Sequence, residues 1–189
     1  MREAGIVVAD ALEQVRVAVA PGVRTIELDE IAEAVIRGAG ATPSFLGYHG
    51  YPASICVSVN SEVVHGIPGA RVLEDGDLVS IDCGAIVDGW HGDAALSVPV
   101  GEISAEVADL SAVTEGALWA GLRAAKAGNH IGDIGAAVKQ YVREQDHSYG
   151  IVVDYVGHGI GSSMHMPPNV PNIGNPGKGP EIVVGMALA

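Results

Sequence analysis

Sliding the 189-residue sequence by 106 positions lays Ala20-Pro-Gly22 on Lys126-Ala-Gly128, and each glycine is followed by the same apolar spacing. In the first copy the apolar positions are Leu28, Ile31, Ala32, Val35 and Ile36; in the second they are Ile134, Ala137, Val138, Tyr141 and Val142. Both sets run i, i+3, i+4, i+7, i+8, one face of an amphipathic helix. A further helical run precedes each, Val8 to Val19 and Glu106 to Ala125, and strand-like segments follow: Ser54 to Val59, Leu78 to Ala85 and Trp90 to Val98 in the first half, Gly150 to Val156 and later segments in the second. The repeated order helix, helix, strands predicts an α+β domain over 1–189 with pseudo-twofold symmetry. Its half-repeats span about 1–100 and 101–189, joined near Pro99-Val-Gly101, and its helices cover one face of a curved antiparallel sheet.

Asp88-Gly89 separates two runs rich in apolar and β-branched residues and is a preferred dipeptide for a two-residue hairpin turn. With that turn Val87 faces Trp90 and Asp82 faces Ala95. Asp93 then lies on the same face as Asp82, a diagonal neighbour roughly 7–8 Å away at the backbone. A slip of one residue would separate the two carboxylates onto opposite faces. Carboxylates held this close raise each other's pKa unless a cation lies between them. The competing reading is a solvated, exposed face, against which stand the flanking Val79, Ile81, Ala94 and Leu96. Hard oxygen donors with one imidazole suit Mn, Fe, Co or Zn, and His158, between Gly157 and Gly159 where backbone can approach closely, is the natural imidazole donor.

With 23 acidic and 10 basic residues the formal charge is −13, which argues against nucleic acid or an anionic membrane as the main partner. No apolar run approaches the roughly 18 residues of a membrane span, and Met1-Arg-Glu-Ala-Gly5 lacks a signal-peptide pattern, so a cytoplasmic location is expected. Cys56 and Cys83 form no metal-ribbon spacing and read as small core hydrophobes, with Cys56 also a candidate pocket wall. Pro167 to Pro180 reads as an ordered irregular loop packed through Val170 and Ile173.

Five stretches in order now carry a resemblance: Leu46-Gly-Tyr-His-Gly-Tyr-Pro52, Val63-Val-His-Gly-Ile-Pro68, Asp75-Gly-Asp77 leading to Ile81-Asp82, His91-Gly-Asp93, and Gly157-His-Gly-Ile-Gly161 with His165. Over essentially the whole chain the sequence resembles the type I methionine aminopeptidases, metallopeptidases of the pita-bread fold. That resemblance implies removal of N-terminal methionine from nascent proteins and peptides, with a small second residue preferred. It implies two divalent ions (Co, Mn, Fe or Zn) held by Asp82, Asp93 and His158, with Asp93 bridging. His65 would contact the substrate near the scissile bond, and His165 would hydrogen-bond it and stabilise the tetrahedral intermediate. The methionine side chain would enter a pocket lined by Phe45, Tyr48, Tyr51, Cys56, His65 and Met164. His91 shares a hairpin face with Asp93, but the family does not use it as a ligand.

The partners so implied are nascent polypeptide N-termini, met at the ribosome, with the protein a monomer that binds neither nucleic acid nor membrane. The family also uses two glutamates that follow the segment matching Gly185-Met-Ala-Leu-Ala189; the chain as written supplies neither, and little activity is expected of it. Two other readings are a catalytically incomplete binding module of the same fold and a related X-Pro aminopeptidase.

Overall fold

The computed structural model describes residues 1–189 and divides into two compact units. Unit 1 comprises Met1–Ser104 with Gly161–Met164, and unit 2 comprises Ala105–Ile160 with His165–Ala189. No helix is long and apolar enough to cross a membrane.

Unit 1 runs α1 (Arg2–Ala18), α2 (Thr25–Gly38), β1 (Thr42–Pro43), β2 (Ile55–Val59), β3 (Leu78–Val87) and β4 (Trp90–Pro99). Helix α1 starts at Arg2, ahead of the Val8 at which the helical run is expected to begin. Its buried stripe begins at Ala4 and continues through Val8, Ala11, Leu12 and Val15, and a small residue at the head of a stripe is easily missed. On the sheet side Ile55, Val57, Val59, Val79, Ile81, Cys83 and Ala85 are buried in one core with α1 and α2. A fully buried aliphatic side chain of this kind contributes about 1.5–3 kcal/mol. Helix α2 is fixed to the start of β2 by a buried carboxylate: Asp29 Oδ1 accepts the backbone N–H of Ser54 at 2.8 Å and of Ile55 at 2.9 Å.

The hairpin forms as its turn chemistry predicts. Asp88 (φ 49°) and Gly89 (φ 79°) both take positive φ, the requirement of a type I′ turn. The register pairs Val87 with Trp90, Gly84 with Asp93 and Asp82 with Ala95. On the other edge of β3, Cys56 of β2 pairs with Asp82, and Thr42 of β1 pairs with Ile86. One face of β3 therefore carries Val79, Ile81, Cys83 and Ala85 into the core, while Ser80, Asp82, Gly84 and Ile86 share the opposite face.

Unit 2 runs α3 (Ala105–Ala124), α4 (Ile131–Arg143), β5 (Gly157–Gly159) and β6 (Met166–Val170). The repeat seen in the sequence reappears as equivalent backbone hydrogen bonds within each unit. Gly22 donates to Leu73 O as Gly128 does to Ile182 O, Thr25 to Arg71 O as Ile131 does to Pro180 O, and Ile26 to Gly69 O as Gly132 does to Lys178 O. At the helix starts Glu27 accepts the N–H of Arg24, and Asp133 that of His130.

Two expectations for the second half are corrected. Gly150 to Val156 is not a strand; pairing begins only at Gly157. Val152, Val153 and Tyr155 are exposed, and the carbonyls of Val152 and Tyr155 are both taken by the side-chain amide of Asn172 at 2.9 Å. That clamp makes a turn where β-branched composition suggested a strand. The Pro167 to Pro180 segment begins inside β6, and it is held less by Ile173, which is exposed, than by two helix glycines. A Cβ at Gly135 would lie 2.5 Å from Pro171 O, and one at Gly132 would lie 2.5 Å from both Asn175 O and Lys178 O. The loop's backbone lies directly on α4, and Gly177 adds a hydrogen bond to Asp133.

Candidate metal centre

Asp82 and Asp93 project from neighbouring strands onto the face of β3 away from the core, and both are partly buried. Burial pushes the Asp82 carboxyl well above the usual carboxylate range, and the adjacent charge of Asp93 and a hydrogen bond between the two carboxyls push it further; the N–H of Cys83 acts in the opposite sense. Neighbouring buried carboxylates repel each other, so the doubly charged pair is disfavoured without a cation. Their four oxygens form a hard donor set, and a divalent ion between them removes the repulsion. The residues fit a divalent metal. Within neither unit do three or more His, Cys, Asp or Glu side chains gather as a ready-made cage.

Beside this pair lies a small apolar cluster. Phe45, Cys56 and Met164 are buried together, with Tyr51 packed against them. Cys56 is the cross-strand partner of Asp82, so the cluster adjoins the carboxylates directly. The Tyr51 hydroxyl lies 3.1 Å from Ile55 O and 3.0 Å from Gly66 O, which fixes the phenol against β2 and the following loop. Burial raises the Cys56 thiol to about 11, so it is a neutral wall at neutral pH rather than a nucleophile. Cys83 faces the core.

Tyr48 sits in the short turn Tyr48–Gly50, 37% exposed and outside the buried cluster. His65 is exposed with φ 60°. The next residue, Gly66, lies so close to β2 that a Cβ there would be 2.2 Å from Val57 O. Its N–H donates to Ser58 Oγ at 3.0 Å and its carbonyl accepts from Val57 at 2.9 Å, so the loop carrying His65 is pinned to the strand of Cys56.

In unit 2, His158 is in β5 and pairs with Asn169 of β6, while its backbone exchanges hydrogen bonds with Ala189. The flanking glycines are required: a Cβ at Gly157 would lie 2.6 Å from Ala189 O, and at Gly159 2.3 Å from Pro167 O. His158 Nδ1 is 3.0 Å from Gly159 O. A neutral ring in that position donates from Nδ1 and carries its lone pair on Nε2, the usual outer support of a metal-ligating histidine. The His165 ring stands edge-on to it, centroids 4.4 Å apart.

Ser44, Gly84 and His91 also belong to the carboxylate face. Ser44 Oγ and His91 Nδ1 share a 3.0 Å hydrogen bond. Burial holds the His91 imidazole below its ordinary pKa, so it is neutral at neutral pH. The two-residue strand β1 offers no periodicity from which to find Ser44; the available signal was Gly84, a glycine inside a strand, which marks close approach.

The chain is similar to known peptidases throughout its length. It is 55% identical to methionine aminopeptidase 1 of Mycobacterium tuberculosis over 194 aligned residues, covering 100% of this chain and 73% of that protein. Its fold matches the crystal structure of methionine aminopeptidase from Thermotoga maritima with a TM-score of 0.96 at 38% identity, covering 100% of this chain and 75% of that one. An Xaa-Pro dipeptidase from Bacillus anthracis aligns with TM-score 0.82 at 28% identity, covering 98% of this chain but 50% of its own. These neighbours share the pita-bread fold, with mixed helices and antiparallel sheet. A model of the metallopeptidase family M24 spans residues 1–189, and together with the paired carboxylates and full-length similarity it establishes that this chain belongs to that family.

Proposed function

We propose that this protein removes N-terminal methionine from peptides and nascent proteins in the cytoplasm, as a monomer that meets its substrates at the ribosome. The observation that carries this reading is the join between Asp82 and the apolar cluster of Phe45, Tyr51, Cys56 and Met164, which puts apolar side chains next to a pair of carboxylates; in this reading they receive one unbranched apolar side chain beside a metal. The similarity to a protein named methionine aminopeptidase 1 supports the same choice. The X-Pro reading is weaker, because the chain is 28% identical to the Xaa-Pro dipeptidase but 55% identical to methionine aminopeptidase 1.

In this reading Asp82, Asp93 and His158 hold up to two ions of Co, Mn, Fe or Zn. A bound divalent ion would supply Lewis acidity toward the peptide carbonyl and lower the pKa of water at the site. Asp82 and Asp93 would hold it through their carboxylate oxygens, whose mutual repulsion its charge would offset. Phe45, Cys56 and Met164 exclude water from the first side chain, while Tyr48 and His65 stand at the mouth, where His65 orients the peptide. His165 donates a hydrogen bond to the oxygen that gains charge as the carbonyl is attacked.

The test is metal-dependent methionine release by the protein expressed from its full coding sequence, on Met-Ala-Ser and Met-Leu-Ser. Release from the first should be faster by about tenfold or more, the discrimination a narrow apolar rim can supply. Equal rates would overturn the specificity. Peptide binding without release would identify a binding module, and cleavage confined to bonds before proline would identify an X-Pro peptidase.

A further inference from the structure

His91 is the residue of the His91-Gly-Asp93 motif that the proposed chemistry leaves without a part. By register it shares a face with Asp93 and Asp82, opposite Ile86. Ser44 is on the far side of β3: its N–H donates to Gly84 O at 2.9 Å, just beyond the pairing of Thr42 with Ile86 and Pro43 with Ala85. Strands β1 and β4 flank β3, so their backbones are two strand spacings apart, roughly 9.6 Å. The Ser44–His91 hydrogen bond of 3.0 Å spans that width across the top of β3.

It can do so because the residue beneath is glycine. A Cβ at Gly84 would lie 2.8 Å from Ser44 Cβ and 3.1 Å from Ser44 Oγ. The same Cβ would lie 2.8 Å from Phe45 Cε1. The gap over Gly84 is therefore filled jointly by the edge of the Phe45 pocket wall and by the serine of the bridge. His91 also reaches the other side of the pocket, since its backbone N–H donates to Gly161 O at 2.9 Å, at the head of the Gly161–Met164 segment that delivers Met164. Ser44 is 5% exposed, so its hydroxyl has no easy exchange of His91 for solvent.

We propose that Ser44 and His91 are positioning residues whose hydrogen bond, laid across Gly84, holds the Phe45 and Met164 walls in register with Asp93 and so sets how tightly the pocket grips the first side chain of the substrate. This rests on the reading that the pocket receives a methionine side chain. The bond is a strut between two segments, β1 and β4, that do not pair with each other and meet only across β3. Without it the side chains on the two outer strands are tied only through their separate backbone bonds to β3.

The experiment compares wild type, Ser44→Ala, Ser44→Thr, His91→Phe and the double variant Ser44→Ala/His91→Phe, all metal-loaded. It reads calorimetric affinity for L-methionine, KM and kcat on Met-Ala-Ser, and metal stoichiometry. Ser44→Ala and His91→Phe should each weaken methionine affinity and raise KM by about tenfold, the equivalent of one hydrogen bond with its buried partner left unmet. Their kcat and metal content should stay within about twofold, the double variant should be no worse than either single, and Ser44→Thr should restore most of the affinity because it keeps the hydroxyl. If His91→Phe does not fold, the Ala and Thr substitutions at position 44 decide the matter. Wild type binding methionine while Ser44→Ala binds it equally, or a loss confined to kcat or metal content, would overturn the strut and leave the pocket standing. Metal-loaded wild type that binds no methionine would overturn the pocket reading and the strut together.

Discussion

Replacing Asp29 by alanine should be among the most damaging single changes in unit 1, although Asp29 is outside the candidate site. Its Oδ1 accepts two backbone N–H groups, from Ser54 at 2.8 Å and Ile55 at 2.9 Å, in an environment where the residue is 7% exposed. Asp29→Ala leaves both donors unmet at about 1–3 kcal/mol each, a total of about 2–6 kcal/mol. Asp29→Asn keeps an oxygen for both donors and removes a buried charge. Burial is the largest influence on this carboxyl and raises its pKa against the opposing effect of the two N–H bonds, with Glu33 and Glu30 adding to the rise. The folded state thus holds the proton more tightly than the unfolded state, and stability from this group, full below the unfolded value near 3.8, falls as pH rises through the folded value. The advantage of Asp29→Asn over wild type should therefore grow with pH from about 4 and then level off. Urea unfolding at several pH values measures both effects. Asp29→Ala within about 0.5 kcal/mol of wild type, the range of ordinary surface changes, or an Asp29→Asn advantage that shrinks as pH rises, would refute the reasoning.

Other outcomes follow from single contacts. Ser54 Oγ is buried without a hydrogen-bond partner, so Ser54→Ala should raise the unfolding free energy by about 0.5–1.5 kcal/mol; a loss of stability in urea titration would contradict this. Gly66→Ala must displace Val57 or the loop carrying His65, because the new Cβ would fall 2.2 Å from Val57 O. Methionine release should drop by more than about tenfold, as expected for a misplaced substrate-orienting group, while metal content measured by atomic emission stays near wild type. His165→Ala should lower turnover by about 10²-fold, as loss of an oxyanion donor does, with metal content again preserved; metal loss equal to that of His158→Ala would assign His165 a different role.

The parts of the fold legible in the sequence are those with a period or a turn that admits few alternatives. Asp88-Gly89 allows one hairpin geometry, and a side-chain period of two then placed Asp82 and Asp93 on one face without reference to any relative. The repeated helical spacing located α2 and α4, and the same cap and return bonds recur in both units. What escaped was held by contacts that leave no pattern. β1 has two residues and no period, so Ser44 went unseen. The run Ile151-Val-Val153 has strand composition but no neighbouring strand, and the amide of Asn172 settles its shape from 20 residues away. The Pro167 to Pro180 loop is set by Gly132 and Gly135 on a helix, where glycine is unfavourable unless backbone must come close. Four of the six pocket residues that the family resemblance supplied gather in and against one buried cluster, whereas Tyr48 and His65 lie outside it.

We propose that the paired carboxylates of Asp82 and Asp93 hold a divalent metal. A crystal of the protein grown with Mn and recorded at the Mn absorption edge tests it most directly. An anomalous peak is expected within about 2.0–2.4 Å of an oxygen of Asp82 and of Asp93, and should be lost in Asp82→Asn/Asp93→Asn. A peak coordinated by other residues, or no peak at the Asp82–Asp93 pair at saturating Mn, would contradict it.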